Sequence, residues 1–204
     1  MDAHAWDERY AASELVWSGA PNRFVAEELS GLPPGRALDL AAGEGRNALW
    51  LAQRGWQVTA VDFSRVGLDK GRALAARHGL SLRWVCADVL AHDPGTDVDL
   101  ALLAYLQLTA DQRRTVLRSA FGSLRSGGTL LVVAHDSTNL TEGTGGPSDP
   151  AVLFTAEEVL ADLDGERFEV QRAERVARAV RPGEAHRGEP DRTAYDVLVR
   201  LLRS

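Results

Sequence analysis

Hydrophobic positions in this chain follow two periods, and the switches between them mark out its elements. Short apolar runs of strand length occur at 37–40, 57–61, 80–87, 98–104 and 129–134. The run 98–104 is almost wholly apolar, as a strand covered on both faces of a parallel sheet should be. Between the runs, apolar residues recur at three- and four-residue spacing. This predicts helices from about Arg46 to Arg54, with Ala48, Leu49, Leu51 and Ala52 inward, and from Ser64 to Arg77, with Val66, Leu68, Leu74 and Ala75 inward. Thr109-x-x-Gln112 and Thr155-x-x-Glu158 are capping boxes that open two more. Gly55, Gly79, Gly127-Gly128 and Gly165 supply the stops. Near the end, alternating runs at 168–178 and 194–202 flank a loop rich in glycine and proline, the pattern of a hairpin. Strands alternating with helices, closed by a hairpin, predict one α/β domain over 1–204 with a mostly parallel sheet.

Upstream of the first strand, Trp6 and Tyr10 are four apart and share a helix face, with Trp17 beyond them. This segment is either a surface helix packing its aromatics on the core or a lid over a pocket. Pro21 opens a second short helix with Phe24, Val25 and Leu29 inward. Residues 1–30 together are the candidate N-terminal helical lid.

The stretch Ala37-Leu38-Asp39-Leu40-Ala41-Ala42-Gly43-Glu44-Gly45-Arg46-Asn47 reads as a buried strand, a glycine turn and a helix start. Glycines there let a ligand approach the backbone closely. Gly43-x-Gly45-x-x-Ala48 satisfies the relaxed dinucleotide fingerprint, a weak signal by itself. The acids around it discriminate. A dinucleotide brings a pyrophosphate, which seeks donors and positive potential. Asp39 in the strand and Glu44 in the turn favour instead a ligand with positive charge, such as S-adenosylmethionine (SAM), which carries an ammonium and a sulfonium. The second strand ends in Asp62, nineteen positions after Gly43, placed to accept both hydroxyls of a ribose. Ser64 is the better cap for the next helix, which leaves Asp62 free. Asp88 follows the third strand, so acids close three successive strands.

These residues resemble motif I of the class I SAM-dependent methyltransferases. With Trp50-Leu51-Ala52, Gly55 and Val58-Thr59-Ala60-Val61-Asp62-Phe63-Ser64, the likeness is greatest to the tellurite-resistance and thiopurine-type branch, in which Gly-Cys or Ala-Cys often stands at Ala41-Ala42. The resemblance is specific over about residues 35–90. It implies a Rossmann-like three-layer sandwich, with a seven-stranded sheet of order 3-2-1-4-5-7-6 and the last strand antiparallel. It also implies SAM as cofactor, an N-terminal aromatic segment covering the pocket, and adenine held by Asp88 and Val89. The cofactor contacts expected on the two readings together are Trp6, Tyr10, Asp39, Ala41, Gly43, Gly45, Arg46, Asn47, Asp62, Phe63, Ser64, Asp88, Val89 and Tyr105.

Past the fifth strand, His135-Asp136-Ser137 lies at the same sheet edge as these acids. His135 is the candidate general base and Asp136 its possible orienter; a loop histidine bonded to backbone is the plainer alternative. The glycine-rich segment 137–150 follows directly and is the candidate lid over an acceptor. Arg46 and Arg181 are candidate anion holders, although a surface arginine is the simpler reading of each. Cys86, the single cysteine, is expected to pack as a small hydrophobe and excludes an internal disulfide. The scattered histidines show no metal-ligand spacing.

Composition adds bounds. A net charge of −6 points away from a nucleic-acid partner. The absence of a basic stretch before an apolar one at the N-terminus, and of any bilayer-length apolar run, points away from secretion and the membrane and towards the cytoplasm. Lys70, the sole lysine among 23 basic residues, reads as compositional bias. The expectation is a methyltransferase acting on a small-molecule acceptor, without nucleic-acid or membrane partners, as monomer or homodimer. The rivals are a nicotinamide-dependent oxidoreductase and a SAM-binding regulatory protein without catalysis.

Overall fold

Apolar runs that continue through both faces of a strand need cover on both sides, and this chain supplies it. The structure, a computed structural model, describes residues 3–13, 15, 19–180 and 192–204. Its elements are α1 (Ala3–Ala11), α2 (Arg23–Leu29), β1 (Arg36–Leu40), α3 (Arg46–Gln53), β2 (Gln57–Asp62), α4 (Arg65–Arg77), β3 (Arg83–Cys86), β4 (Val98–Ala104), α5 (Ala110–Ser123), β5 (Leu124–His135), α6 (Asn139–Glu142), a 3₁₀ turn (Pro150–Val152), α7 (Ala156–Asp162), β6 (Phe168–Val180) and β7 (Arg192–Arg203).

The seven strands form one sheet in the order β3-β2-β1-β4-β5-β7-β6. β7 runs antiparallel to both its neighbours, and the pairings among β1 to β5 are parallel. Successive strand residues serve opposite faces. In β5, Leu130, Val132 and Ala134 join α5 and α7 in one core, through Val116, Leu117, Phe121 and Val159. The alternate residues Leu131 and Val133 join α2 and α3 in the other, through Phe24, Val25, Leu29, Trp50 and Leu51. This is the three-layer α/β sandwich and the strand order that the resemblance implies.

Local signals hold closely. Ser64 caps α4 by accepting from Gly67 N–H, and Thr155 caps α7 within a capping box. Asn22, not Pro21, caps α2: its side chain accepts from Phe24 and Val25 N–H. β5 starts five residues before the expected Thr129, because Leu124 pairs with Val98 ahead of an irregularity in the ladder. β3 is shorter than its apolar run. Cys86 at its end is exposed, with Sγ 3.6 Å from the Phe63 carbonyl, so it is not the packed hydrophobe expected. Trp17, Arg181 and most of the loop joining β6 to β7 lie outside the described residues.

Candidate active site

The turn after β1 is built by its backbone. Gly43 and Gly45 have φ of +57° and +78°, which glycine adopts freely. Ala41, at φ +60°, adopts the same region without that freedom. Ala42 N–H donates to the Val61 carbonyl (3.0 Å) and Gly43 N–H to Asp62 Oδ2 (2.8 Å), so β2 fixes the turn. Asp62 also accepts from Ser64 N–H (2.7 Å). Burial raises the Asp62 pKa above the ordinary carboxylate range, against the pull of these N–H groups.

A cavity of about 860 Å³ opens over this turn. Trp6, Tyr10, Ala41, Gly43, Arg46, Asn47, Asp62, Phe63, Asp88, Val89 and Tyr105 all line it, eleven of the fourteen residues expected at the cofactor. Three do not. Ser64 is fully buried, caps α4 and bonds Asp7. Gly45 backs onto Trp84: a methyl there would sit 2.6 Å from the indole, so this glycine serves packing beneath the turn. Asp39 is 1 % exposed and lies behind the wall. Its Oδ2 has no hydrogen-bond partner among the described residues. Burial, reinforced by the Asp62 charge, lifts its pKa to about 7, although Arg46 and the Ala48 N–H pull the other way. A buried carboxylate oxygen without a donor is costly, and a cation repays that cost.

Glu44 does not share this task. Its side chain is 3 % exposed and pairs with Lys70 Nζ at 3.2 Å, outside the cavity lining. Lys70 also donates to the backbone carbonyls of Tyr10 and Ser13 at the end of α1. The sole lysine thus joins α1 to the glycine turn, a structural role that composition did not reveal. Midway along α1, Asp7 accepts from Ser64 Oγ and from Val66 N–H (3.1 Å). Tyr10 is 4 % exposed and stacks with Trp6 at 5.4 Å, so both aromatics face inward.

A second cavity of about 680 Å³ shares Trp6, Arg46, Tyr105, Gln107, Pro147 and Ser148 with the first. His135 lines it, 4.9 Å from the Tyr105 ring, and Gly146 of the glycine-rich loop seats against its imidazole. Asp136 is not its orienter. The chain's alternation turns Asp136 away, where it accepts from Thr138 N–H (2.9 Å) and Thr138 Oγ1 (2.6 Å). The carboxylate at His135 is Asp196, its cross-strand partner on β7. His135 Nδ1 lies 3.2 Å from Asp196 Oδ1, close to it but without hydrogen-bond alignment. Asp196 is fully buried and accepts from Tyr105 Oη (2.9 Å) and from Arg178 Nε and Nη2 (2.6 and 3.3 Å). Burial would raise its pKa, but the surrounding donors outweigh that and hold it below the usual value. Burial and the Asp196 charge push Tyr105 up to about 12, so the phenol stays protonated and donates. Tyr105 sits at φ +58°, a left-handed backbone rare for an aromatic residue, at the C-terminal end of β4.

Asp196, Arg178, Arg9, Arg23 and Asn22 were missed by sequence reasoning. Only Asn22 carried a usable signal, as an N-cap type before an apolar pattern. Arg46, by contrast, is no surface arginine but a wall of both cavities.

Residues 37–128 match a family model described as a methyltransferase domain. The tRNA 5-carboxymethoxyuridine methyltransferase of Escherichia coli (strain K12) is 35 % identical over 111 residues, covering 52 % of this chain and 42 % of that protein. The ribosomal RNA small subunit methyltransferase C of Alcanivorax borkumensis is 33 % identical over 107 residues, 50 % of this chain and 33 % of that one. The chain therefore spans less than half the length of these relatives. Among solved structures, TehB from Haemophilus influenzae superposes with a TM-score of 0.74 at 16 % identity, over 99 % of this chain and 67 % of that one. N-methyltransferase NodS from Bradyrhizobium japonicum, in complex with S-adenosylhomocysteine, gives 0.70 at 18 % identity, over 100 % and 99 %. Relatives named for tRNA and rRNA overturn the expectation of no nucleic-acid partner: a nucleic acid is an open substrate class. No helix among the described residues is long and apolar enough to cross a membrane. The matched domain, together with the strand order around it, gives this chain the fold of the class I SAM-dependent methyltransferases, the family it resembles.

Proposed function

We propose that the chain transfers a methyl group from SAM to a nucleophile held in the cavity beside His135. The observation that carries this reading is the shared wall: the cavity over the glycine turn and the cavity of His135 have Trp6, Arg46 and Tyr105 in common. The turn fits SAM on its own evidence. Gly43 lines the cavity with backbone alone, Asp62 offers carboxylate lone pairs to ribose hydroxyls, and Asp39 sets a buried carboxyl behind the wall, where its charge favours an ammonium. Asp88 and Val89 line the far end and fit adenine. When bound, SAM supplies an electrophilic methyl carbon on a sulfonium.

The protein's own part is alignment and proton transfer. With Nδ1 held towards Asp196, His135 keeps Nε2 to receive the proton of a phenol, amine or thiol. The seat of Gly146 on the imidazole and the inward aromatics of α1 make residues 3–11 and 144–148 the covers that exclude water. Asp62 and Asp88 in the cavity wall disfavour the pyrophosphate of a nicotinamide cofactor.

Calorimetric titration of SAM, S-adenosylhomocysteine and NAD into wild type and Asp62→Ala tests the reading. The adenosylated ligands bind, NAD does not, and Asp62→Ala weakens binding at least tenfold. Release of S-adenosylhomocysteine is then followed over phenols, amines, thiols, carboxylic acids and total tRNA. Binding of NAD in place of SAM would overturn the proposal, and tight SAM binding without turnover on any acceptor class would favour a regulatory module.

A further inference from the structure

We infer that the molecule taken by the second cavity presents an anionic group, a carboxylate or a phosphate, to arginines of its wall; this rests on the methyl-transfer reading and names its acceptor class. Arg9, Arg23, Arg46 and Arg178 line the cavity, and among the described residues no aspartate or glutamate does. The four come from α1, α2, α3 and β6, so no single helical repeat gathers them. Their convergence is a property of where the elements meet.

Bringing guanidinium groups together costs energy that an anion recovers. Burial lowers the Arg46 pKa; Tyr105 and the buried Asp39 oppose this, and the smaller Arg178 contribution adds to it. The carboxylates that pair with Arg178 and Arg23 are not part of the cavity lining. Asp196 is fully buried and takes the Nε and Nη2 donors of Arg178, which leaves the Nη1 end unused by that pair. Glu27 lies 3.6 Å from Arg23 on an exposed face of α2. The permanently charged groups lining the cavity are therefore all arginines, and their natural complement is an acceptor-rich, negatively charged group.

Size completes the argument. About 680 Å³ is far more than a bare oxyanion fills, and it suits a ring-sized organic body. Trp6, Tyr105 and Pro147 give that body apolar walls. The anionic group can belong to a free organic acid or to a nucleotide. The chemistry in the arginine wall is the same, and the test separates the two sources.

The test uses matched pairs: benzoate with benzamide, 2-naphthoate with 2-naphthamide, and phenyl phosphate with phenol. Each is titrated calorimetrically into the full chain, with and without saturating S-adenosylhomocysteine. At least one anion binds tenfold or more tightly than its neutral partner. That preference falls at least fivefold in Arg9→Gln, Arg23→Gln or Arg178→Gln and persists in Arg54→Gln, whose guanidinium sits over Trp50 at 4.1 Å, away from this cavity. Arg178→Gln leaves buried Asp196 short of a partner and can unfold the chain, so the more exposed Arg9 and Arg23 carry the test in that event. Displacement of the bound anion by AMP or total tRNA places the group on a nucleotide, and no displacement places it on a free acid; each supports an anion site. Neutral partners binding as well as the anions, or a preference untouched by all three substitutions, would overturn the proposal. If S-adenosylhomocysteine fails to bind while the arginine-dependent preference holds, the methyl-transfer reading falls and the anion site stands.

Discussion

Asp39 is the residue at which proton, fold and cofactor meet. Its carboxyl is lifted to about 7 by burial and by Asp62, whereas an unfolded chain would hold it near 3.8. Between those values the folded state binds a proton that the unfolded state does not. Its contribution to stability is therefore fully present in acid and is lost as pH rises through 7. Asp39→Asn removes the titration. Urea denaturation should find this variant gaining on wild type between pH 5 and pH 8, by an amount on the order of a few kcal/mol. A cationic ligand over the turn favours the charged form of the carboxyl behind it, so its binding at pH 6 should expel the proton. Titrations in buffers of different ionisation enthalpy should show SAM releasing close to one proton at pH 6 and almost none at pH 8. Affinity should rise through that interval in wild type and be weaker and flat in Asp39→Asn. His135 offers a test independent of any acceptor. Nitrogen-15 spectra should show its tautomer changed by Asp196→Asn and unchanged by Asp136→Asn, since Asp196 lies 3.2 Å from Nδ1 and Asp136 is engaged with Thr138.

At the scale of elements, α1 and α4 decide how the turn is covered. Asp7 reaches the first turn of α4, and Lys70 reaches back from α4 to the end of α1 and to Glu44. Lys70→Gln removes the charge from these contacts, each worth about 1 kcal/mol or somewhat more when partly buried. Hydrogen exchange over residues 3–11 should quicken, and S-adenosylhomocysteine should dissociate about fivefold faster. Gly71 shows packing overruling propensity. Alanine is the better helix former, but a methyl at Gly71 would stand 2.6 Å from the Trp84 ring and 2.9 Å from the Glu44 carbonyl. Gly71→Ala should therefore destabilise the chain by about 1–3 kcal/mol in urea denaturation. The helix starts at Ser64 and Thr155 and the strand ends at Asp62 and Ala104 were legible because each depends on residues close in sequence. Lys70 and Gly71 were not, because their reasons lie on other elements.

For the whole molecule, the same distinction explains which half of the site could be read. Asp39, Asp62 and Asp88 each lie in or just after a parallel strand, so the fold alone brings them to one sheet edge. Asp196 and Arg178 come from antiparallel strands, whose register no local pattern states; a slip of one residue would turn Asp196 to the other face of the sheet. Net charge misled for a related reason. It sums the whole surface to −6, while the cavity wall gathers four arginines and so presents the opposite sign locally. Because β1, β4 and β5 run through both cores, and the cofactor cavity draws on residues from α1 to the 3₁₀ turn, the ligand should stabilise the chain as one unit. A ligand at a hundred times its dissociation constant adds about 2.7 kcal/mol to the folded state. For a chain of this length that raises the midpoint of thermal unfolding by about 5–11 °C. S-adenosylhomocysteine at that concentration should shift a single calorimetric transition upward by this amount, and by much less in Asp62→Ala. Two transitions, of which the ligand moves only one, would show that the two cores do not unfold together and that the cavity belongs to one of them alone.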